Sequence, residues 1–404
     1  MKYIRQTYQD DHTVKTSDRR KPGKFPGGLL FILLVLVIPL LQCKQPYNSP
    51  YVSPTTGYLV VEGYISGNTP TSFMLSRTIK LSADTTNPQE LGAIVEVEGN
   101  DNSVYPLTEQ GGGVYSADTL PLNASTKYRV RIRTTIGGIY LSDFAQYKVI
   151  PLIDSVSWVA GADGVAIYVN THDDGGNTRY YQWNYDETWE YHSAQESLYE
   201  YIPPSTVEYR PPQDEIYRCW RNRSSSNILI ATSAKLSKDV IYLQKLNEIA
   251  ENSEQISVLY STLVRQYALT DSGYNYLSLM RGNTESLGTI FDPQPSQLTG
   301  NIHCLTNSNE PVIGYVSAGT VQQQRIFIRR SEISSWYYAF SCAQPDTVVS
   351  NQPDSLIKYF YTESFIPLEP GSSHILVGWY ANQRYCVDCT VQGGTTIDPS
   401  FWPN

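Results

Sequence analysis

From Tyr58 to about residue 150 the chain is written in short runs that mix apolar and polar residues, YLVVEGYISG, TSFMLSRTI, AIVEVEGN and KYRVRIRT, each closed by Gly, Asn, Asp or Pro. Short β-rich runs with turn residues at every break are the pattern of half-buried strands. In YRVRIR, Tyr128, Val130 and Ile132 fall on one face and Arg129, Arg131 and Arg133 on the other, so one face is buried and the other is a solvated cationic row. The rhythm is that of a sandwich, and residues 58–150 are expected to form an immunoglobulin-like β-sandwich.

Near Pro151 the pattern restarts, and residues 151–404 are expected to form a larger β-rich domain. Its first two strands flank Asp173, Asp174, Gly175 and Gly176, residue types suited to a hairpin turn. The regular ligand spacing of a calcium loop is missing there. In the second strand Tyr181, Trp183 and Tyr185 share one face, read as core, while Tyr180, Gln182, Asn184 and Asp186 share the other. Residues 191–218 read as a long polar excursion, and Val240 to Ala250 fits helix and strand equally. Ser257 to Leu269 reads as a strand. A short helix is expected near 271–281, with Tyr274, Leu277 and Met280 along one side.

Ahead of all this lies LLFILLVLVIPLLQC, ending at Cys43 and preceded by a leader with seven Lys/Arg. The apolar run is too short for the roughly 20 residues of a spanning helix and fits a signal peptide. Leu40, Leu41, Gln42 and Cys43 resemble a lipobox, although Gln42 stands where a small residue is usual. The expected organisation is therefore a signal peptide over 1–42, lipidation at Cys43 and a Pro/Ser/Thr-rich tether over 43–57. The alternative is an uncleaved single-span anchor. Removing the leader leaves 23 Lys/Arg against 36 Asp/Glu, a formal charge of −13, which argues against nucleic acid as a partner.

Five further cysteines, Cys219, Cys304, Cys342, Cys386 and Cys389, lie in a chain expected to reach an oxidising compartment, so at most two disulfides and one free thiol are expected. The C-x-x-C at Cys386 and Cys389 is open to three readings, structural disulfides, half a zinc site or a redox pair, and the first is preferred because no second ligand pair appears. No metal or cofactor is expected. Catalytic signatures are thin. GYVSAG from Gly314 is one residue too long for a nucleophile elbow, and the S-x-x-K of Ser355 and Lys358 lacks its companion motifs and follows Pro353, which argues against the helix it needs.

YLVVEGYIS near the mature start, YYQWNYDETWE, FDPQPSQLTGNI, PVIGYVSAG, RIFIRR and the ending RYCVDCTVQGGTTIDPSFW together resemble a family of Bacteroidetes outer-membrane lipoproteins built on a domain of unknown function. That resemblance implies an accessory role beside a TonB-dependent receptor, lipid-anchored at the outer membrane in a leaflet left open, with no implied reaction. The chain is thus expected to be a non-catalytic binding protein for a glycan or peptide nutrient. Candidate contact residues are Trp183, Trp189, Tyr191 and Trp220, aromatic side chains of the kind that anchor recognition surfaces. A structural or adhesive surface module and a glycan or peptide hydrolase are the alternatives.

Overall fold

The computed structural model describes residues 57–79, 88–204, 206–285, 299–333, 336–338, 340–349, 353–373 and 376–403. The leader, Cys43 and all of the tether but Gly57 lie outside the described residues, as does most of the FDPQPSQLTGNI phrase. Residues 54–404 group as one unit. The mainly β class expected from the sequence is what the structure has.

The first body contains β1 (Leu59–Ser66), β2 (Pro70–Arg77), β3 (Ile94–Gly99), β4 (Val104–Gly111), β5 (Val114–Thr119), β6 (Lys127–Arg133), β7 (Ile139–Ser142) and β8 (Ala145–Lys148). Two strands from far along the chain, β18 (Ile302–Cys304) and β19 (Ala318–Gly319), complete it. Pairing runs β6-β3-β4-β5-β2-β1-β19-β8 and returns from β8 to β6, a closed circuit of eight strands where a two-sheet sandwich was expected. Closure removes the exposed strand edges that invite unwanted pairing. Alternation fills the inside: Tyr128, Val130 and Ile132 of β6 are buried beside Leu59, Ile65, Phe73 and Val97. The outward arginines are not a free basic patch, because Arg129 and Arg131 both pair with Glu98 on the neighbouring strand.

The segment that carries β19 threads between β1 and β8 by virtue of its glycines. A Cβ on Gly314, at φ +146, would come within 2.3 Å of the Val61 carbonyl oxygen, and one on Gly319 within 2.1 Å of the Lys148 carbonyl oxygen. GYVSAG is therefore spaced for close backbone approach.

The second body is a sandwich. β9 (Ile153–Gly161), β10 (Gly164–His172) and β16 (Val240–Ala250) make one sheet in the order β16-β10-β9. The ambiguous 240–250 segment is thus a strand, its bulges absorbing a residue pattern that matched neither period. The facing sheet runs β14-β11-β17-β20, from β11 (Tyr180–His192), β14 (Arg218–Ser224), β17 (Leu259–Ala268) and β20 (Val321–Arg329), with β15 (Leu229–Thr232) beside the start of β11. Val165, Ile167, Val169, Trp183, Tyr260 and Val264 meet between them. Asp173 forms a turn, but not the hairpin expected there, because the flanking β10 and β11 do not pair and lie in opposite sheets. Its carboxylate accepts from the backbone N–H groups of Gly175, Asn177 and Thr178, each at 2.9 Å, while Gly176 takes φ +62.

The excursion after β11 holds a hairpin, β12 (Tyr199–Ile202) and β13 (Thr206–Tyr209). It packs by Tyr201 and Val207 on a small core of Val348, Leu356, Phe360 and Ala381. That core belongs to a third sheet, β21-β23-β22, made from β21 (Asp346–Val349), β22 (Phe365–Ser373) and β23 (Leu376–Gln383). Pro353 does not prevent a helix at the S-x-x-K: Pro353–Leu356 is helical and runs on as helical turns to Thr362. Proline sits at the first position, where its missing N–H costs nothing. Lys358 there pairs with Glu363 at 3.7 Å.

Helix α1 (Asp271–Glu285) extends four residues past the expected end. Thr270 caps it, its hydroxyl accepting from the Gly273 N–H at 3.1 Å.

Candidate functional site

Two faces of β11 have different fates. The odd face, with Tyr181, Trp183 and Tyr185, is core, as the residue pattern implied. The even face carries Gln182 and Asn184 outward, and the register sets Tyr267 and then Val321 beside Gln182, and Arg265 and then Gln323 beside Asn184. This patch is the floor of a cavity of about 670 Å³. One wall comes from β1 and the start of β2, including Glu62, Tyr64, Thr69 and Ser72. The other comes from α1, through Tyr276, Leu277 and Met280, and from Ile313 to Tyr315. The volume lies in the range typical of small-ligand sites, and a junction between packed bodies is a usual place for one. A second hollow of about 240 Å³ beneath Lys127, Lys148 and Tyr315 is smaller than such sites.

The floor is polar but electrically balanced. Arg265 donates to Asp186 at 2.6 Å, and Ser224 donates to the same carboxylate at 2.8 Å. Burial alone would raise the Asp186 pKa, but these bonds outweigh it and hold the carboxyl below its usual range. Tyr267 and Asn184 exchange hydrogen bonds at 3.1 and 3.3 Å. The side chains of Gln182 and Gln323 have no hydrogen-bond partner among the described residues, and both line the cavity. Tyr64 packs edge-on against Tyr267 at 5.0 Å, and Tyr276 lies 5.5 Å from Tyr315. The Tyr64 hydroxyl itself is buried beneath Gly319 with no hydrogen-bond partner among the described residues, and burial pushes its pKa well above the ordinary tyrosine value.

The four aromatic residues expected to contact a ligand are all buried and serve packing. Trp183, 1% exposed, donates to Gln266 at 2.9 Å, and Trp189 donates to Glu254 at 2.9 Å. Tyr191 donates to the Cys389 carbonyl at 2.7 Å. Trp220 packs against Trp402 beneath the Arg218 guanidinium. The carboxylates on β11 are committed to structure as well. Glu187 accepts from Arg223, Asn247 and Tyr260. Glu190 accepts from Arg218, His192 and the Trp402 indole. Of the residues that frame the cavity, the polar face of β11 and the Leu277 and Met280 side of the helix were marked in the sequence as units. Their partners from β1, β17 and β20 carry no local signal, because register and body packing bring them there.

The C-x-x-C divides between two partners. Cys389 bonds Cys219 and Cys386 bonds Cys342, while Cys304 is a buried free thiol. The two bridges and single thiol match the count expected from the cysteine inventory, and they resolve the open choice at C-x-x-C in favour of structural disulfides. Among the described residues, no group of three or more His, Cys, Asp or Glu side chains is placed to hold a metal, and no helix is long and apolar enough to cross a membrane.

Residues 44–325 match the family described as Domain of unknown function (DUF4249). The chain belongs to that family. For this DUF4249 protein no curated protein matches. Among solved structures, a biofilm associated protein, BSP domain, aligns at 7% identity over 68% of this chain and 59% of that one, with a TM-score of 0.13. The alignment therefore spans under two thirds of that protein's length, and a likeness so slight carries no argument about fold or function.

Proposed function

We propose that this DUF4249 protein is a lipid-anchored, non-catalytic binding component of a Bacteroidetes outer membrane, serving nutrient capture beside a TonB-dependent receptor. The observation that carries the reading is the cavity of about 670 Å³ whose floor includes two side chains with no hydrogen-bond partner among the described residues, Gln182 and Gln323. Gln182 is half-buried and Gln323 exposed, so water bonds these amides until a ligand takes its place. The lining favours binding over chemistry, since Arg265 is neutralised by Asp186 and Glu62 is the one lining carboxylate among the described residues. The lipid anchor at Cys43 rests on the leader and the lipobox-like Leu40 to Cys43.

We also read the first body as an immunoglobulin-like module. The order β1-β2-β5-β4 follows the A-B-E-D sheet and β3-β6-β7 the C-F-G sheet of a constant-type domain, with β4 and β19 joining the two along their edges.

The test is affinity purification of the full-length protein from gently solubilised native outer membranes, with mass spectrometry of the mature N-terminus. A TonB-dependent receptor recovered in near-stoichiometric amount, with acylated Cys43, is the expected result. Absence of any receptor, with attachment altered in a deletion strain and uptake unchanged, would replace this reading with an adhesive one.

A further inference from the structure

We infer that the cavity between β1, α1 and the β11-β17-β20 floor takes a neutral oligosaccharide. The inference rests on the cavity being the capture site, and narrows it to a ligand class.

Charge is the first discriminator. Among the described residues Arg265 is the only cationic side chain in the lining, and its guanidinium is held by Asp186 at 2.6 Å. An anionic ligand would have to break that pair, and a cationic one would find a lone Glu62 on the rim. Polarity is the second. Gln182 and Asn184 on β11 and Gln323 on β20 offer amide donors and acceptors on either side of β17, and Ser72 and Thr69 add hydroxyls on the wall opposite. A purely apolar ligand would desolvate these groups without replacing their bonds with water, at about 1–3 kcal/mol each. Shape is the third. The rings of Tyr64, Tyr267 and Tyr276 and the apolar side chains of Leu277 and Met280 line the same space, so the site pairs hydrogen-bonding amides with flat and apolar surface. A sugar ring has both, hydroxyls at its edge and C–H groups on its face.

An extended peptide is the competing occupant, and the backbone argues against it. Peptides commonly bind by adding a strand to a free edge. Strand β1, in the wall, is paired on both sides, with β2 and β19. β20 is the last strand of its sheet, and its edge is covered at Val321, where it enters the cavity: the Asn68 side chain donates to the Val321 carbonyl at 2.9 Å and accepts from the Val321 N–H at 2.8 Å. That amide takes the place a peptide backbone would occupy.

The test uses the full mature chain against an array of neutral α- and β-linked hexasaccharides, uronic-acid oligosaccharides and a random hexapeptide library, with hits measured by calorimetry. Gln182→Ala and Gln323→Ala are the variants, chosen because neither side chain supports the fold through a hydrogen bond, and unchanged melting temperature verifies folding. The expected result is a neutral hexasaccharide with a measurable Kd that weakens at least tenfold in either variant. Peptide or uronic-acid binding that is lost in these variants would overturn the inference of a neutral saccharide and leave the cavity as the capture site. Neutral sugar binding that ignores both variants, or no neutral sugar binding at all, would also overturn it. Failure of the receptor purification would instead strike the accessory role, whatever the array shows.

Discussion

Replacing Glu190 by Gln tests how the C-terminus is fastened to the sandwich. Glu190, 5% exposed, accepts from Arg218 Nε at 2.7 Å and Nη2 at 3.1 Å, from His192 Nε2 at 3.1 Å and from Trp402 Nε1 at 2.9 Å. Burial opposes the charge, but hydrogen bonds from His192, Arg218 and Trp402 outweigh it and hold the carboxyl at about 2. Relative to an ordinary glutamate near 4.5, that is worth up to about 3 kcal/mol, and about 2 is a fairer figure because the Arg218 side chain is 40% exposed and its pairing is screened. A depressed folded-state pKa stabilises the fold above the unfolded value and loses that stabilisation as the pH falls through the folded one. The Glu190→Gln variant should therefore unfold at lower urea at pH 7, by about 2 kcal/mol, and the gap should shrink below pH 4.5, with most of it gone by pH 3. Tryptophan fluorescence during urea titration of both proteins at pH 7, 5, 4 and 3 measures this. A gap that stays constant with pH, or widens in acid, would refute an ionised Glu190 as the fastening charge.

Three further outcomes follow from the same structure. Removing the Cys219–Cys389 bridge as the double Ala variant frees a 170-residue loop and should cost about 5 kcal/mol, against about 4 for the 44-residue Cys342–Cys386 loop, read as the loss in calorimetric stability; a larger loss for the shorter loop would contradict a loop-entropy origin. Tyr64→Phe deletes a buried hydroxyl with no hydrogen-bond partner among the described residues and should raise stability by about 1 kcal/mol, whereas a loss would mean that the hydroxyl is bonded in solution. His172 hydrogen-bonds Asp154 at 2.8 Å, which raises its pKa; in an NMR titration it should deprotonate above the ordinary histidine value and fall back in Asp154→Asn.

Much of the secondary structure was legible in the chain because strands announce themselves locally. The alternation in YRVRIR and in YYQWNY predicted which side chains face inward, and burial follows it in Tyr128, Val130, Ile132, Tyr181 and Trp183. The helix after Thr270 and the Asp173 turn were equally local, set by a cap and by residues that tolerate positive φ. Trp189, Tyr191 and Trp220 were harder, since a large aromatic residue reads the same way in a core as on a recognition surface. Trp189 is buried in the core between the sheets, where it bonds Glu254, while Tyr191 and Trp220 are covered by the final segment: Cys389 and Trp402, about 200 positions beyond β11, fold back over β11 and β14.

By itself, then, the sequence determined the strand class, the inward faces, the turn chemistry and the number of bridges that five cysteines could make. Only the tertiary structure decided which cysteines join, that β18 and β19 complete the first body, and that Gln182 and Asn184 face Tyr64 and Tyr276 across a cavity. The reason is range: periodicity and turn propensity act over a few residues, whereas register between β11, β17 and β20, and the closing of the first circuit by Ala318–Gly319, depend on pairings across tens to hundreds of positions that leave no local trace.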